Sequence, residues 1–218
     1  MNPIAKRSVA ALSTAAVVVL AILYAPSTWF VPAFIVLIAL ATLEYALLLR
    51  RKVSLLSVKG LVGLLLGFAV LAGGLSALPA AARAHGNLMM LYLVAIVKIS
   101  DMGGFAFGLG SKKIFGENHK LCPSISPGKS WEGLLGSVIG SLLMSAAFLP
   151  ITKFGVGKAL AFGLCAALLG TAGDLVESKF KRWVGVKDSS TFMPAGMGGL
   201  LDMFDSLLFA PPLLLLFV

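Results

Sequence analysis

The chain has 218 residues, of which 59% are hydrophobic and 12% are charged, and its mean hydropathy is +0.99. This apolar content excludes an ordinary soluble globular domain and predicts a polytopic membrane protein. The formal net charge of +9 suits loops that face anionic lipid headgroups. It does not indicate a nucleic-acid partner, because no basic patch is interleaved with stacking aromatic residues.

Seven apolar runs, separated by charged residues or by Pro and Gly, predict an all-α transmembrane bundle with about seven spans. Each run approaches the ~20 residues that a helix needs to cross a bilayer. The first run follows Lys6 and Arg7, and we interpret it as a retained helix because a second run follows at once. The predicted spans are 9–25, 30–49, 60–80, 88–108, 131–150, 158–176 and 201–218.

The distribution of Lys and Arg predicts the orientation of these spans. With a cytoplasmic N-terminus, the segments on the opposite, non-cytoplasmic side of the membrane carry only Arg83, Lys153 and Lys158, in agreement with the positive-inside rule. Two long polar loops, 109–130 and 177–200, then face the cytoplasm. We expect an N-terminal part of three spans, 1–87, and a candidate catalytic part, 88–218, that carries both loops.

The residues from 178 to 205 form the most charged stretch of the chain. Charges beside or inside a bilayer are costly, so they usually mark a site. Basic residues next to carboxylates suit a site that holds a metal and a phosphorylated ligand. The charged residues of this stretch are Lys179, Lys181, Arg182, Lys187, Asp188, Asp202 and Asp205.

Carboxylates in and before this stretch have the spacing of a metal site. Asp202 and Asp205 are three residues apart, so their side chains can share a helix face, where they repel unless a cation intervenes or one is protonated. Asp174 lies near the end of the sixth predicted span. The chain has only two histidines, which favours a hard cation such as Mg²⁺, with or without a second cation, bound by oxygen ligands. A solvated acidic helix cap is the alternative.

Asp101 ends the fourth predicted span, one helical turn after Lys98. Ionisable residues in a span are usually functional. The alternative is an isolated ion pair that lets both charges tolerate the membrane. Asp101 is therefore a candidate for the same site.

The segment from 126 to 133 precedes the fifth predicted span and reads SPGKSWEG. Ser130 can cap that helix, whose positive N-terminal end suits an anion; an interfacial anchor made by Trp131 and Lys129 is the alternative. The Gly-Lys-Ser triplet does not belong to a P-loop, because Pro123 stands where that motif needs its first glycine.

In this order, the motifs resemble those of the phosphatidate cytidylyltransferases (CDP-diacylglycerol synthases), over about residues 97–210. The family signature runs S-x-x-K-R, four residues, K-D, a P-G-H-G-G turn and L-D-R-x-D. In this chain Met197 and Met203 replace the histidine and the arginine, and the turn has one extra residue. The matching positions are Asp101, Phe107, Gly108, Ser126, Pro127, Lys129, Ser130, Trp131, Glu132, Gly133, Gly173, Asp174, Ser178, Lys181, Arg182, Lys187, Asp188, Pro194, Gly198, Gly199, Leu201, Asp202 and Asp205.

The resemblance implies a nucleotidyltransferase of phospholipid biosynthesis that converts CTP and phosphatidic acid into CDP-diacylglycerol and pyrophosphate with Mg²⁺. It also implies a homodimer in a bacterial-type cytoplasmic membrane, with its active site towards the cytoplasm. The implied metal ligands are Asp101, Asp174, Asp202 and Asp205. The implied catalytic residues are Asp174, Lys181, Arg182, Lys187, Asp188, Asp202 and Asp205, and the implied substrate-binding residues are Asp101, Ser126, Lys129, Ser130, Trp131, Glu132 and Ser178.

Two other functions remain open at this point. One is a CTP-dependent lipid kinase of the polyprenol or phytol type, against which the K-D and L-D-x-x-D motifs argue. The other is an inactive relative that acts as a membrane scaffold, which Met197 and Met203 motivate. The retained acidic residues argue against the scaffold, because unused carboxylates beside a bilayer are costly.

Overall fold

The computed structural model describes residues 15–189 and 199–217. These residues form an all-α bundle, as the composition predicted, with one short β-hairpin. The predictions for the first fourteen residues and for the Pro194 to Gly198 turn, including Met197, lie outside the described residues. The elements are α1 (Ala15–Tyr24), α2 (Ser27–Leu49), α3 (Val58–His85), α4 (Asn87–Phe115), β1 (Lys120–Cys122), β2 (Ser126–Ser130), α5 (Trp131–Ala147), α6 (Leu149–Thr152), α7 (Val156–Val184) and α8 (Leu200–Phe204), followed by 3₁₀ segments at Asp205–Leu207 and Pro211–Leu216.

Within the described ranges, four helices are long and apolar enough to cross a membrane, namely α2, α3, α4 and α7. The described part of α1 and all of α5 are shorter apolar helices. Helix α4 continues to Phe115 and α7 to Val184, about two turns beyond the predicted ends of their spans. The two predicted polar loops are correspondingly shorter, and their first residues are helical.

The prediction of a continuous helix over 201–218 was wrong. Helix α8 has only five residues, and 3₁₀ segments follow it. Pro211 and Pro212 lack the backbone N–H groups that an α-helix requires, which favours this break. Leu207, Leu208 and Leu214 of this segment are buried, so the segment packs inside the bundle.

The hairpin of β1 and β2 was not predicted. Its strands pair antiparallel, with Lys120 opposite Ser130 and Cys122 opposite Ser126. Pro and Gly inside β2 obscure a strand pattern, since both are unfavourable in strand interiors. The backbone N–H of Trp131 donates to the carbonyl oxygen of His119 at 2.9 Å, so the hairpin leads directly into α5.

Small residues bring α4 and α5 into close backbone contact. A side chain at Gly140 of α5 would place its Cβ 2.8 Å from the carbonyl oxygen of Ile99 in α4. Ser100 Oγ donates to the carbonyl oxygen of Ser137 at 3.1 Å. Glycine and serine at helix interfaces allow this approach in membranes, and it fixes the relation between Asp101 on α4 and the hairpin that precedes α5.

A second set of contacts joins α4, α5 and α7. The hydroxyl groups of Tyr92 and Ser145 lie 2.7 Å apart, and Ser145 Oγ donates to the carbonyl oxygen of Ala159 at 2.6 Å. Tyr92 is fully buried and packs against Phe148 and Phe162. The polar atoms of this buried cluster are thus satisfied, and the three helices that carry the candidate site form one packed unit.

Candidate active site

A cavity of about 720 Å³ lies among α4, the hairpin, the start of α5, α7 and α8. Its lining combines glycines with charged groups of both signs, which is unusual inside an apolar bundle. Most of the sequence-predicted acidic residues meet here. The charged lining residues are Lys98, Asp101, Lys112, Lys120, Lys129, Asp174, Asp202 and Asp205.

Three carboxylates converge beside this cavity. Asp174 and Glu177 of α7 and Asp205 of the first 3₁₀ segment each offer an oxygen atom, and these atoms lie within 4.8 Å of one another. Glu177 is only 6% exposed, and its Oε1 atom has no hydrogen-bond partner among the residues that the structure describes. A buried, unsatisfied carboxylate oxygen beside two further carboxylates fits a hard cation.

A close approach of two backbones brings the third carboxylate into place. At Gly173, a Cβ atom would lie 2.5 Å from the carbonyl oxygen of Asp205 and 2.9 Å from Phe209 Cδ2. Only glycine leaves room for this contact between α7 and the 3₁₀ segment. Gly173 therefore contributes to the acidic cluster although it supplies no ligand atom.

Lys181 connects the acidic cluster to α8. Its Nζ atom lies 2.6 Å from Glu177 Oε2 and also pairs with Asp202 Oδ1. Asp202 Oδ2 accepts hydrogen bonds from the backbone N–H groups of Ser189, at 3.0 Å, and Gly199, at 2.8 Å. Asp202 was predicted as a metal ligand; in the structure both of its oxygens are engaged by Lys181 and by backbone donors.

The pKa of Asp202 reflects two opposing effects. Burial favours the neutral carboxyl group, whereas the hydrogen bonds from Lys181, Gly199 and Ser189 favour the carboxylate. The hydrogen bonds prevail and hold the pKa of Asp202 below its usual range. Asp202 is thus an anion that fixes Lys181.

Two other lysines of the cavity also have acidic partners. Lys129 Nζ lies 2.5 Å from Asp174 Oδ2. Lys98 Nζ lies 3.6 Å from Asp101 Oδ2, which also accepts a hydrogen bond from Ser206 Oγ at 2.8 Å. Asp101 is therefore more than an isolated partner of Lys98, because it connects α4 to the 3₁₀ segment beside the acidic cluster.

The predicted helix cap at Ser130 is confirmed. Its Oγ atom accepts a hydrogen bond from the backbone N–H of Gly133 at 3.1 Å. Glu132, in the first turn of α5 and outside the four spanning helices, accepts hydrogen bonds from the backbone N–H and the ring Nδ1 of His119, at 3.1 and 2.8 Å. These bonds lower the pKa of Glu132 to about 2.

The remaining predicted site residues have different surroundings. Ser178 is buried and its Oγ donates to Asp174 Oδ1 at 3.3 Å. Arg182 is exposed, and its guanidinium group donates to the carbonyl oxygen of Val186 at 3.2 Å, near the end of α7. Lys187 and Asp188 are also exposed. The described lining of the cavity does not include Arg182, Lys187 or Asp188.

Two more predicted positions, Ser126 and Trp131, lie on or beside the hairpin, whereas Met203 lies in α8. Ser126 is partly buried opposite Cys122, and Trp131 is 58% exposed. Met203, which replaces the family arginine, is 41% exposed, and its carbonyl oxygen accepts a hydrogen bond from Lys98 Nζ at 3.2 Å.

Sequence reasoning assigned no role to two residues that the structure brings to the site. Glu177 lies one turn after Asp174 and one turn before Lys181, and that spacing was its only signal. Glu44 of α2 is fully buried, and its Oε2 atom accepts a hydrogen bond from the backbone N–H of Leu201 at 2.9 Å. Glu44 thereby holds the start of α8. Glu44 and Leu201 are 157 residues apart in the sequence, so no local pattern reveals this contact.

The fold and the cavity define an integral membrane protein with a charged, partly acidic site among its helices. A sequence model of the cytidylyltransferase family matches residues 54–218, and the chain belongs to this family. Enzymes that transfer nucleotidyl groups generally use a divalent metal, and the cluster of Asp174, Glu177 and Asp205 has the ligands that such a metal prefers.

Named relatives agree with the family assignment. The phosphatidate cytidylyltransferase of Staphylococcus aureus (strain COL) is 44% identical over 134 residues, which cover 61% of this chain and 49% of the relative. The enzyme of the same name from Staphylococcus haemolyticus is 41% identical over 136 residues, or 62% and 50% of the two chains. An uncharacterized protein of Escherichia coli (strain K12) is 38% identical over 134 residues, or 61% and 43%. The chain spans about half the length of the relatives that it matches.

Proposed function

We propose that the protein is a phosphatidate cytidylyltransferase of phospholipid biosynthesis, which converts CTP and phosphatidic acid into CDP-diacylglycerol and pyrophosphate. The observation that carries this proposal is the acidic cluster beside Lys129 in a cavity among apolar helices. Such a site suits a reaction between a water-soluble polyphosphate and a lipid phosphate. The names of the staphylococcal relatives support the same reaction.

The chemistry explains why the site needs charges of both signs. A phosphate oxygen of the lipid attacks the α-phosphorus of CTP, and the bond from that phosphorus to the bridging oxygen of the β-phosphate breaks, so that pyrophosphate leaves. The attacking oxygen is already anionic and needs no strong general base. The main obstacle is the repulsion between two polyanions, which positive charge at the site must offset.

The acidic cluster fits the metal that this reaction implies. Asp174, Glu177 and Asp205 would hold Mg²⁺, and Asp101, on the cavity wall, is a further candidate ligand for a second cation. When bound, such an ion would polarise the phosphoryl oxygens and screen their charge. Asp202 acts in this proposal by holding Lys181.

Basic and hydroxyl groups would bind the phosphates. Lys129 is 21% exposed and lines the cavity next to Asp174, so it can contact a phosphate that shares the metal. The Ser130 hydroxyl lines the cavity and accepts from Gly133, and we propose that it donates its proton to a phosphate. Ser126 is a further candidate donor, whereas Ser178, whose proton goes to Asp174 Oδ1, would act on the substrate through that carboxylate.

Other residues of the family motifs lie nearer the surface. Arg182, Lys187 and Asp188 are exposed, and we assign them to contacts with the incoming nucleotide. Trp131 and Glu132 begin α5 next to the hairpin and outside the described cavity lining, and we propose that they contact substrate there. The division of the chain into parts 1–87 and 88–218 stays a prediction.

We further propose that the N-terminus and the cavity face the cytoplasm of a bacterial-type membrane. Lys112 and Lys113 at the end of α4 and Lys181 and Arg182 at the end of α7 support this orientation through the positive-inside rule. CTP is then available from the cytosol, while the lipid stays in the bilayer. A homodimer completes the proposal, on the strength of the family resemblance alone.

The test is pyrophosphate release by the purified chain in mixed micelles that contain CTP, Mg²⁺ and phosphatidic acid, with the lipid product identified by mass. CDP-diacylglycerol formed in equal amount to pyrophosphate supports the proposal. CDP release with a lipid alcohol as acceptor would identify a kinase instead. Folded protein without turnover on either lipid would indicate an inactive relative.

A further inference from the structure

The lysines around the cavity fall into two groups. In the first group, each Nζ atom lies within 4.0 Å of a carboxylate oxygen, so its charge is already compensated. These paired lysines leave little net positive charge for a polyanionic ligand. The group comprises Lys98, Lys129 and Lys181.

Lys112 and Lys120 form the second group, which we call the basic rim. Both line the same cavity and both are exposed. Neither has a carboxylate oxygen within 4.0 Å in the ranges 15–189 and 199–217. The Nζ atom of Lys120 instead donates to Asn118 Oδ1 at 3.1 Å. The basic rim therefore carries the uncompensated positive charge of the cavity lining.

The backbone around Lys120 is held on both sides. Asn118 Nδ2 donates to the carbonyl oxygen of Gly108 in α4 at 2.9 Å. His119 is bound by Glu132 at the start of α5 through its backbone N–H and its ring, and Lys120 itself pairs with Ser130. These contacts fix the position of Lys120 relative to the cavity, and such pre-organisation favours the binding of a ligand.

We propose that the basic rim binds the β- and γ-phosphates of the nucleotide, the part that leaves as pyrophosphate. This inference rests on the proposed function. The α-phosphorus must meet the lipid phosphate beside the acidic cluster, where the metal ligands are, so the rest of the triphosphate needs a second set of positive groups. Within the described lining, only Lys112 and Lys120 offer charge that no carboxylate compensates.

The test compares Lys112→Ala, Lys120→Ala and the double variant with Lys113→Ala in the full-length protein. Lys113 is a matched control, because it is the next exposed lysine of α4 and is not part of the cavity lining. We expect KM for CTP to rise about tenfold for each rim variant, since one hydrogen bond to a charged group is lost. Inhibition by pyrophosphate should weaken by a similar factor, while KM for phosphatidic acid and the Lys113→Ala values stay unchanged.

Lys120→Arg should restore most of the affinity for CTP, because it keeps the charge. A rise in KM for phosphatidic acid without one for CTP would overturn the proposal and assign the basic rim to the lipid phosphate. Rim variants that match Lys113→Ala would also overturn it.

A binding measurement separates this inference from the proposed function. If the wild-type protein shows no turnover, the proposed function fails, and calorimetry with pyrophosphate and Mg²⁺ still tests the basic rim. If the double variant binds pyrophosphate at least about tenfold more weakly than the wild type, the result supports a polyphosphate site at the basic rim. Equal affinity of the wild type and the double variant for pyrophosphate would overturn the assignment of the basic rim.

Discussion

Glu177 and Lys181 lie one turn apart on α7, with Glu177 Oε2 and Lys181 Nζ separated by 2.6 Å. The same ammonium group pairs with Asp202 of α8. Because Glu177 also belongs to the acidic cluster with Asp174 and Asp205, it connects that cluster to α8. A change at Glu177 should therefore affect both the affinity of the acidic cluster for the proposed metal and the position of Lys181.

The first prediction concerns the charge of Glu177. Glu177→Gln removes a buried anionic oxygen from the acidic cluster but keeps the shape of the side chain. We expect the Mg²⁺ concentration for half-maximal activity to rise at least about tenfold, since the loss of one charged ligand contact costs on the order of 1.5–3 kcal/mol. Activity measured against Mg²⁺ concentration tests this.

Glu117→Gln is the control for that experiment. Glu117 is an exposed carboxylate between α4 and the hairpin, so its replacement changes the net charge equally without touching the cluster. A Glu177→Gln protein with the Mg²⁺ dependence of Glu117→Gln would remove Glu177 from the metal site.

A second prediction distinguishes the two aspartates of the L-D-x-x-D motif. Asp205→Asn should weaken Mg²⁺ binding, because Asp205 belongs to the acidic cluster. Asp202→Asn should abolish turnover in folded protein while Mg²⁺ binding stays within about threefold of wild type, because Asp202 holds Lys181 and accepts from backbone N–H groups.

Calorimetry with Mg²⁺, together with activity, measures both effects, and size-exclusion chromatography in detergent checks folding. An Asp202→Asn protein that turns over normally would rule out a catalytic contribution of the Lys181–Asp202 pair. If the Asp202→Asn protein loses as much Mg²⁺ affinity as the Asp205→Asn protein, then Asp202 is a metal ligand, as the sequence alone predicted.

The sequence predicted the membrane bundle and most of the acidic residues because those signals are local. Apolar runs of about 20 residues reveal spanning helices, and carboxylates three residues apart share a helix face. The spacing grouped Asp202 with Asp205, whereas the family resemblance assigned Asp174 and Asp205 to one site. Their partner Glu177 was missed because its importance depends on its burial and on an Oε1 atom that no other described residue satisfies with a hydrogen bond.

Features that depend on distant contacts were not predictable in the same way. The buried carboxylate of Glu44 binds the backbone of Leu201, and α8 gives way to 3₁₀ segments that pack against α7. Apolar composition predicts burial of this segment but not its backbone conformation. The hairpin was missed because Pro127 and Gly128 stand inside its second strand.

A third prediction follows from the lowered pKa of Glu132. Its pKa of about 2 lies below the ordinary value of 4.5, so the folded state favours the carboxylate. The resulting stability is fully present above about pH 4.5 and is lost as the pH falls towards 2. We expect the difference in Tm between wild type and Glu132→Gln to be largest above pH 4.5 and to shrink below it.

Thermal unfolding in detergent at several pH values between about 3 and 7 measures the Tm difference between the wild type and Glu132→Gln. This range includes the ordinary pKa of a glutamate side chain. Glu117→Gln again serves as the control, and its difference from wild type should not follow this pH course. A difference for Glu132→Gln that stays constant over the whole range would contradict a role for the ionised side chain in holding His119.

The last prediction uses two glycines of α7. Gly173→Ala should disrupt the site, because its Cβ atom would lie 2.5 Å from the carbonyl oxygen of Asp205 and must push the 3₁₀ segment away. Gly157→Ala is the matched control, since no atom lies within 4 Å of its Cβ position. Gly157 lies in the first turn of α7, where an added methyl group meets no other atom, so Gly157→Ala should leave Tm and activity close to those of the wild type. Gly173→Ala should instead lower Tm and weaken Mg²⁺ binding at least about tenfold, as the loss of a charged ligand contact does. If both variants bind Mg²⁺ like the wild type, the approach of Asp205 to α7 is not what assembles the acidic cluster.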